Sequence, residues 1–352
     1  ILALNIDFEP HLAEPELGGS NERVQTIIHE IGHTLGLEHP HDAFGGTVAG
    51  VGTEPFGELN DPPYQWHHTM MSYTRAPGVT FEDDDFGSSV TPMALDIAAL
   101  HNLHGPNETT RTGDTTYVLT DPRSAPLDTD DADGRISVGR AYYGIWDAGT
   151  ADSDTILYEG TRDTLVNLNP ATLDLAGPPP AYAALLEALE TAARFRALDR
   201  GTRLELTTDA DLAGGSFSSV LDADGRREAG GYAIAHGVVI ENAATGGGDD
   251  LLLGNEADNR LTGFGGDDLL MGGAAGDTLS GATGADTLMG GGGADRLSGG
   301  AGEDALSGGA GDDTADYSAA ETQVVVNLNR QVSDAAFADH AVVSRHSLVP
   351  ID

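Results

Sequence analysis

The chain has 352 residues, 39% of them hydrophobic, which is enough for roughly two or three domains with real cores. Its 57 acidic residues face 17 basic ones, all arginine, for a formal charge of −40, a field that repels nucleic acid and anionic membranes and attracts divalent cations. The absence of cysteine excludes disulfide staples and thiolate metal sites, and no apolar run approaches the ~20 residues of a membrane span.

Ile1 to Phe8 alternates and is rich in β-formers, which predicts a strand, and Pro10 to Asn21 reads as a polar connection. Arg23 to Leu37 is predicted as a helix capped by Ser20 or Asn21. It carries His29, Glu30 and His33, followed by Gly36 and His39. At ~100° per residue, side chains four apart leave a helix on the same face, so His29 and His33 form a two-pronged clamp for zinc. Glu30 falls beside that metal position, where a carboxylate takes a proton from the attacking water. Gly36 lets the backbone leave the helix and bring His39 in as third ligand, with one position left open. Chance alone gives the whole pattern in roughly one sequence in ten thousand, so an exposed helix that merely carries these residues is the weaker reading.

These eleven residues, His29 to His39, match the metzincin zinc signature. Pro40 to Thr69, rich in Gly, Pro and Asp, is predicted as irregular loop. Met71-Ser72-Tyr73 follows 32 residues after His39. It resembles the methionine turn of the serralysin subgroup, which implies that Met71 lies under the zinc and that Tyr73 ligates it or hydrogen-bonds the developing oxyanion. Thr91 to Leu103 is predicted as the helix that closes this module, with Thr91 as cap and Pro92 at the first helical position.

From Arg111 onward the chain turns to short β-like runs, several of which resemble serralysin segments leading into the calcium-binding domain. The resemblance implies a calcium site built by Arg111, Gly113, Thr115, Asp147, Gly149, Thr150, Asp152, Val239 and Glu241. Thr150 and Val239 depart from the usual Gly and Thr, at positions that offer backbone carbonyls. Between these segments Pro178 to Pro180 and a predicted helix from Ala181 to Leu198, with Leu185, Leu189, Ala192 and Phe195 on one side, read as an inserted surface elaboration.

Thr245 to Asp316 repeats every nine residues in the G-G-x-G-x-D-x-U-x pattern of repeats-in-toxin (RTX) proteins. The sixth position runs Asp250, Asn259, Asp268, Asp277, Asp286, Asp295, Asp304 and Asp313, and the eighth is leucine until Ala315. Glycines permit a tight turn with inward carbonyls, the aspartate completes an oxygen cage for a hard cation, and the leucine packs inside. Two nonapeptides make one coil, so about six calcium sites are expected between repeats two apart. Asn259 in place of aspartate and Ala275 in place of glycine weaken the site those two repeats share. A flexible Gly-rich linker needs neither the nine-residue phase nor leucine at a fixed position. Residues 245–316 carry 14 acids and 2 arginines, so without calcium this array is expected to be unfolded.

The domain map expected is therefore a zinc metallopeptidase module over 1–108, an N-terminally incomplete α+β metzincin-like fold. A β-rich region over 109–244 with a helical insertion at about 178–200, an all-β calcium-binding parallel β-roll over 245–316, and an incomplete C-terminal β segment over 317–352 follow. The function implied is that of a secreted zinc- and calcium-dependent endopeptidase acting on protein and peptide substrates. The resemblance adds a one-step ABC-type export system and a proteinaceous inhibitor as partners, with no nucleic acid and no membrane insertion. The rival is a non-catalytic secreted calcium-binding adhesion or surface protein, against which the intact Glu30 and Tyr73 speak.

Overall fold

The computed structural model describes residues 21–39, 68–71, 89–120, 134–137, 141–149, 153–173, 180–207, 215–228, 230–318, 324–327, 340–343 and 348–351. The expected strand at Ile1 to Phe8, the connection after it and nearly all of the loop at Pro40 to Thr69 lie outside them. The chain divides into two compact units. One comprises Ile1–Ile156, Asn169–Pro179 and Leu198–Ile240, and the other Leu157–Leu168, Pro180–Ala197 and Glu241–Asp352.

The first unit mixes helices with short strands. The helix Asn21–Thr34 ends three residues before the predicted Leu37. Gly36 adopts φ 96°, so the Leu37 N–H reaches the Gly32 carbonyl at 2.9 Å and the Gly36 N–H reaches that of His33 at 3.1 Å. This paired closure satisfies carbonyls that a helix end leaves open, and it needs the left-handed residue that glycine supplies.

The second helix is Ala94–His104, and its start corrects the expected cap. Thr91 turns its hydroxyl away, accepting the Gly144 N–H at 2.8 Å, and Asp96 accepts the Met93 N–H at 2.9 Å in its place. Pro92 thus precedes the helix instead of opening it. A Cβ on Gly144 would meet the Pro92 carbonyl oxygen at 2.3 Å, so this glycine lets the chain entering the helix lie on the strand Tyr142–Ile145. That strand pairs in parallel with Gly231–Ile234, which pairs antiparallel with Phe217–Val220. Met93, Tyr142, Phe217 and Ala233 pack together between these elements.

The second unit is built on the nine-residue repeat. Thr164–Asn167, Leu251–Leu253, Leu269–Gly273, Thr287–Gly292 and Ala305–Ala310 pair in parallel in that order. Asn242–Ala244, Arg260–Gly265, Thr278–Thr283, Arg296–Ala301 and Asp313–Asp316 form the facing series. Partners within the repeats are 18 residues apart, so Leu252, Leu270, Leu288 and Leu306 line up, as do Leu261, Leu279, Leu297 and Ala315. Six of these leucines are 0% exposed, which makes the eighth position the core of a parallel roll. Leu348–Ile351 adds an antiparallel strand to Asp313–Asp316.

Two expectations change here. The insertion is not a surface elaboration, because Pro180–Thr191 packs against the strand Leu269–Gly273 and against Ala193–Ala197, and the two helices bury Tyr182, Leu185, Leu189 and Phe195. The helix also breaks at Ala192 and does not run on to Leu198. Ala275 holds the turn that Gly266, Gly284, Gly293, Gly302 and Gly311 make at the same repeat position, but at φ 67°, where an L side chain is strained. Ala275→Gly is expected to stabilise the calcium-loaded roll by about 0.5–1 kcal/mol, the strain relieved less the entropy a glycine adds to the unfolded chain. A melting temperature below that of the parent chain would contradict it.

Candidate metal centre

The helix Asn21–Thr34 and the turn after it place three imidazole nitrogens together. His29 Nε2 and His33 Nε2 lie 3.0 and 3.1 Å from His39 Nε2, and the three ligand atoms all fall within 4.8 Å of one another. His29 donates from Nδ1 to the Met70 carbonyl at 2.9 Å, and His33 donates from Nδ1 to the Leu37 carbonyl at 3.0 Å. A carbonyl only accepts, so each Nδ1 holds the ring proton and each Nε2 of the neutral ring is unprotonated. A cation placed among the three nitrogens could be ligated by all of them. Zinc–nitrogen bonds of about 2.0–2.1 Å put tetrahedral ligands ~3.3 Å apart, close to what is seen. Burial lowers the His29 pKa, which keeps the ring in its neutral, ligating form.

Glu30 projects from the same helix into solvent. Beneath the site Met70 and Met71 are 1% and 2% exposed and pack with Ile28 and Leu37. Gly32 makes room for them, since a Cβ there would meet Met71 Sδ at 2.6 Å and Met70 Cε at 2.9 Å. Tyr73 lies outside the described residues.

The sequence reading missed Asp96. Its buried carboxylate accepts the Thr69 hydroxyl at 2.6 Å and the Met70 N–H at 2.7 Å, besides the Met93 N–H. The Met70 carbonyl in turn accepts the hydrogen bond from His29 Nδ1, so Asp96 fixes the turn that orients a candidate ligand, the support that metal-bound histidines commonly need. Burial raises its pKa to about 6. The one available signal was an acid at the third helical position after Met93. Asp96→Ala leaves three buried donors without their acceptor and is expected to cost about 2–4 kcal/mol of stability and to weaken zinc binding. Unchanged zinc affinity would reduce Asp96 to a helix cap.

Of the residues expected to hold the first calcium, Arg111, Gly113, Thr115, Asp147 and Gly149 are brought into one neighbourhood. The Ala148 N–H bonds the Thr110 carbonyl at 3.0 Å, and Thr115 Oγ1 donates to the Gly113 carbonyl at 3.1 Å. Asp147 is buried, accepting from Tyr117 Oη at 3.0 Å and from the Gly149 N–H at 2.9 Å. Val239 is 45% exposed, Glu241 belongs to the other compact unit, and Thr150 and Asp152 lie outside the described residues.

In the roll the sixth-position carboxylates form a ladder. Oδ1 of Asp268, Asp277, Asp286, Asp295, Asp304 and Asp313 each accepts the backbone N–H of the residue 18 earlier, at 2.8–3.1 Å. Oδ2 of Asp268, Asp277, Asp286 and Asp295 is buried without a hydrogen-bond partner. Burial pushes the pKa of Asp268 and Asp277 up to about 8 and that of Asp250 and Asp286 up to about 6, and raises those of Asp295 and Asp304. Stacked, desolvated, unpartnered carboxylate oxygens are the donor set of a hard cation. A Cβ on Gly263, Gly272, Gly281 or Gly290 would meet the same repeat's Oδ2 at 2.0–2.2 Å, which explains glycine at the first position.

A three-histidine cluster that could hold a metal, on a helix exit, and a parallel roll of acidic nonapeptides thus mark the class of this chain. The RTX calcium-binding nonapeptide repeat family (4 copies) matches residues 245–279 and 280–315. Serralysin of Proteus mirabilis is 32% identical over 251 residues, 70% of this chain and 38% of that protein. Serralysin C of Dickeya chrysanthemi is 34% identical over 65% of this chain and 36% of its own length, and metallopeptidase AprA of Pseudomonas marginalis 30% identical over 67% and 38%. The chain is homologous to the serralysin metallopeptidases and carries RTX calcium-binding repeats. It spans less than two-fifths of the length of these relatives. Among the described residues no helix is long and apolar enough to cross a membrane.

Proposed function

We propose that this chain is a secreted, calcium-stabilised zinc endopeptidase with a metzincin-type catalytic module. The observation that carries the reading is the convergence of His29, His33 and His39 Nε2, with the ring protons of His29 and His33 held on Nδ1 by backbone carbonyls. Zinc held there supplies Lewis acidity toward a water and the scissile carbonyl. Glu30, next to His29 in sequence, accepts the proton that the attacking water sheds and returns it to the leaving amine nitrogen. The Tyr73 hydroxyl donates a hydrogen bond to the oxyanion as the tetrahedral centre forms. Met70 holds the His29 ring in place, and Asp96 holds Met70.

The aspartate ladder supports calcium at the roll, where Asp250, Asp268, Asp277, Asp286, Asp295, Asp304 and Asp313 are the proposed carboxylate ligands. Casein is the probe for the catalytic reading. Hydrolysis should stop with a zinc-selective chelator and return on adding zinc, with calcium held constant throughout. Hydrolysis that persists with zinc demonstrably removed would sink it.

A further inference from the structure

The ladder has one rung of different chemistry. At Asn259 the side-chain oxygen accepts the Asn255 N–H at 2.7 Å, while Nδ2 donates to the Glu241 carbonyl and to Asn255 Oδ1, both at 3.1 Å. The Glu241 carbonyl can only accept and the Asn255 N–H can only donate, so the orientation of the amide is fixed. The amide nitrogen bridges two oxygens, as a cation does between stacked carboxylates. Aspartate at this position could not do so.

Neighbouring groups repeat the pattern. Asp250 Oδ1 accepts the N–H and hydroxyl of Thr164 at 2.6 and 2.8 Å. Asp163 accepts the Asp249 N–H at 3.0 Å through one oxygen and pairs with Arg194 at 2.7 Å through the other. Arg194, its side chain 17% exposed, also donates to the Asp249 carbonyl. It stands on the inserted helix Ala193–Ala197, and Tyr182 on the preceding helix accepts from Asn167 at 2.8 Å. Asn255 Nδ2 bonds the Leu168 carbonyl at 3.1 Å, and the Leu168 N–H bonds Leu253 O at 2.8 Å. Every one of these groups belongs to the same compact unit.

We propose that the first coil of the roll closes without calcium, held by the Asn255–Asn259 amide clasp, Thr164 and the insertion's Arg194, and seeds the cation-dependent coils that stack on it. The proposal rests on the calcium reading of the later repeats. It assigns the insertion a role, supplying a fixed positive charge at Asp163 beside an array that carries 14 acids against 2 arginines. It also leaves the rung shared by Asn259 and Asp277 outside the set of full calcium sites. A preformed coil spares the acidic repeats the slow step, since each later coil adds to an existing edge as in other solenoids.

Hydrogen exchange on the full 352-residue chain in excess calcium chelator tests this. The amides of Thr164, Leu168, Asp249 and Asn255 should exchange at least 100-fold more slowly than those of Asp277, Asp286 and Asp295, and millimolar calcium should then protect the second group. Equal, fast exchange of both groups in chelator overturns the seed. Failure of calcium to protect the second group overturns the calcium reading itself, which is a separate outcome. Asn259→Asp should lose protection of Asn255 in chelator, regain it in calcium, and bind one more calcium per chain. Protection of Asn255 undiminished in that variant would remove the clasp from the account, and the parent chain decides the seed even where the variant does not fold.

Discussion

Glu30→Gln is expected to lower peptide hydrolysis by roughly 10²–10⁴-fold while zinc content stays near that of the parent chain. The substitution keeps the size and exposure of the side chain but removes the group that accepts a proton. In the proposed site His29, His33 and His39 are the zinc ligands, and their Nε2 atoms converge without Glu30, so the substitution gives the metal no reason to leave. The effect should fall on turnover and on kcat/KM together, because proton transfer belongs to the transition state. Hydrolysis of casein at the parent rate, by protein whose zinc has been measured, would end the assignment. The opposite pattern is expected of His33→Ala: zinc is lost first, and activity with it.

Withdrawal of calcium is expected to unfold the coils that follow the first one, with loss of most of the β signal in circular dichroism. The buried Oδ2 atoms of Asp268, Asp277, Asp286 and Asp295 lack hydrogen-bond partners, and the 14 acids against 2 arginines in residues 245–316 repel one another once no cation screens them. The glycine-rich turns raise the entropy lost on ordering still further. Refolding should follow a calcium titration in the ~10⁻⁴ to 10⁻³ M range of extracellular modules. The experiment is sharpest above pH 8. Burial lifts Asp268 and Asp277 to about 8, above their unfolded values, so the metal-free roll is favoured by protons in acid and loses that stabilisation as pH rises through 8. A spectrum already β-rich at pH 9 in excess chelator, and unmoved by calcium, would be incompatible with this account.

Much of the chemistry was legible without coordinates because it is local. Eleven residues carry the three histidines, the carboxylate and the glycine exit, and helical periodicity alone puts His29 and His33 on one face. The roll was legible for a similar reason: a nine-residue phase with leucine at one position forces an 18-residue stacking register. The homology to serralysins likewise lies in residues that can be read in order.

What only the tertiary structure decided depends on residues far apart in the chain. Asp96 meets Met70 across 26 positions, and Thr91 is taken from its expected cap by Gly144, 53 positions away. The insertion looked like surface because its apolar face has no partner within itself, and the strand Leu269–Gly273 supplies one. Asn259 looked like a weakened calcium ligand, and only the position of the Glu241 carbonyl shows an amide completed by hydrogen bonds. Local spacing fixes the direction in which a side chain leaves its own element. Whether a buried donor finds its acceptor is settled by packing between elements, and the cost of leaving it unmet then selects the arrangement seen.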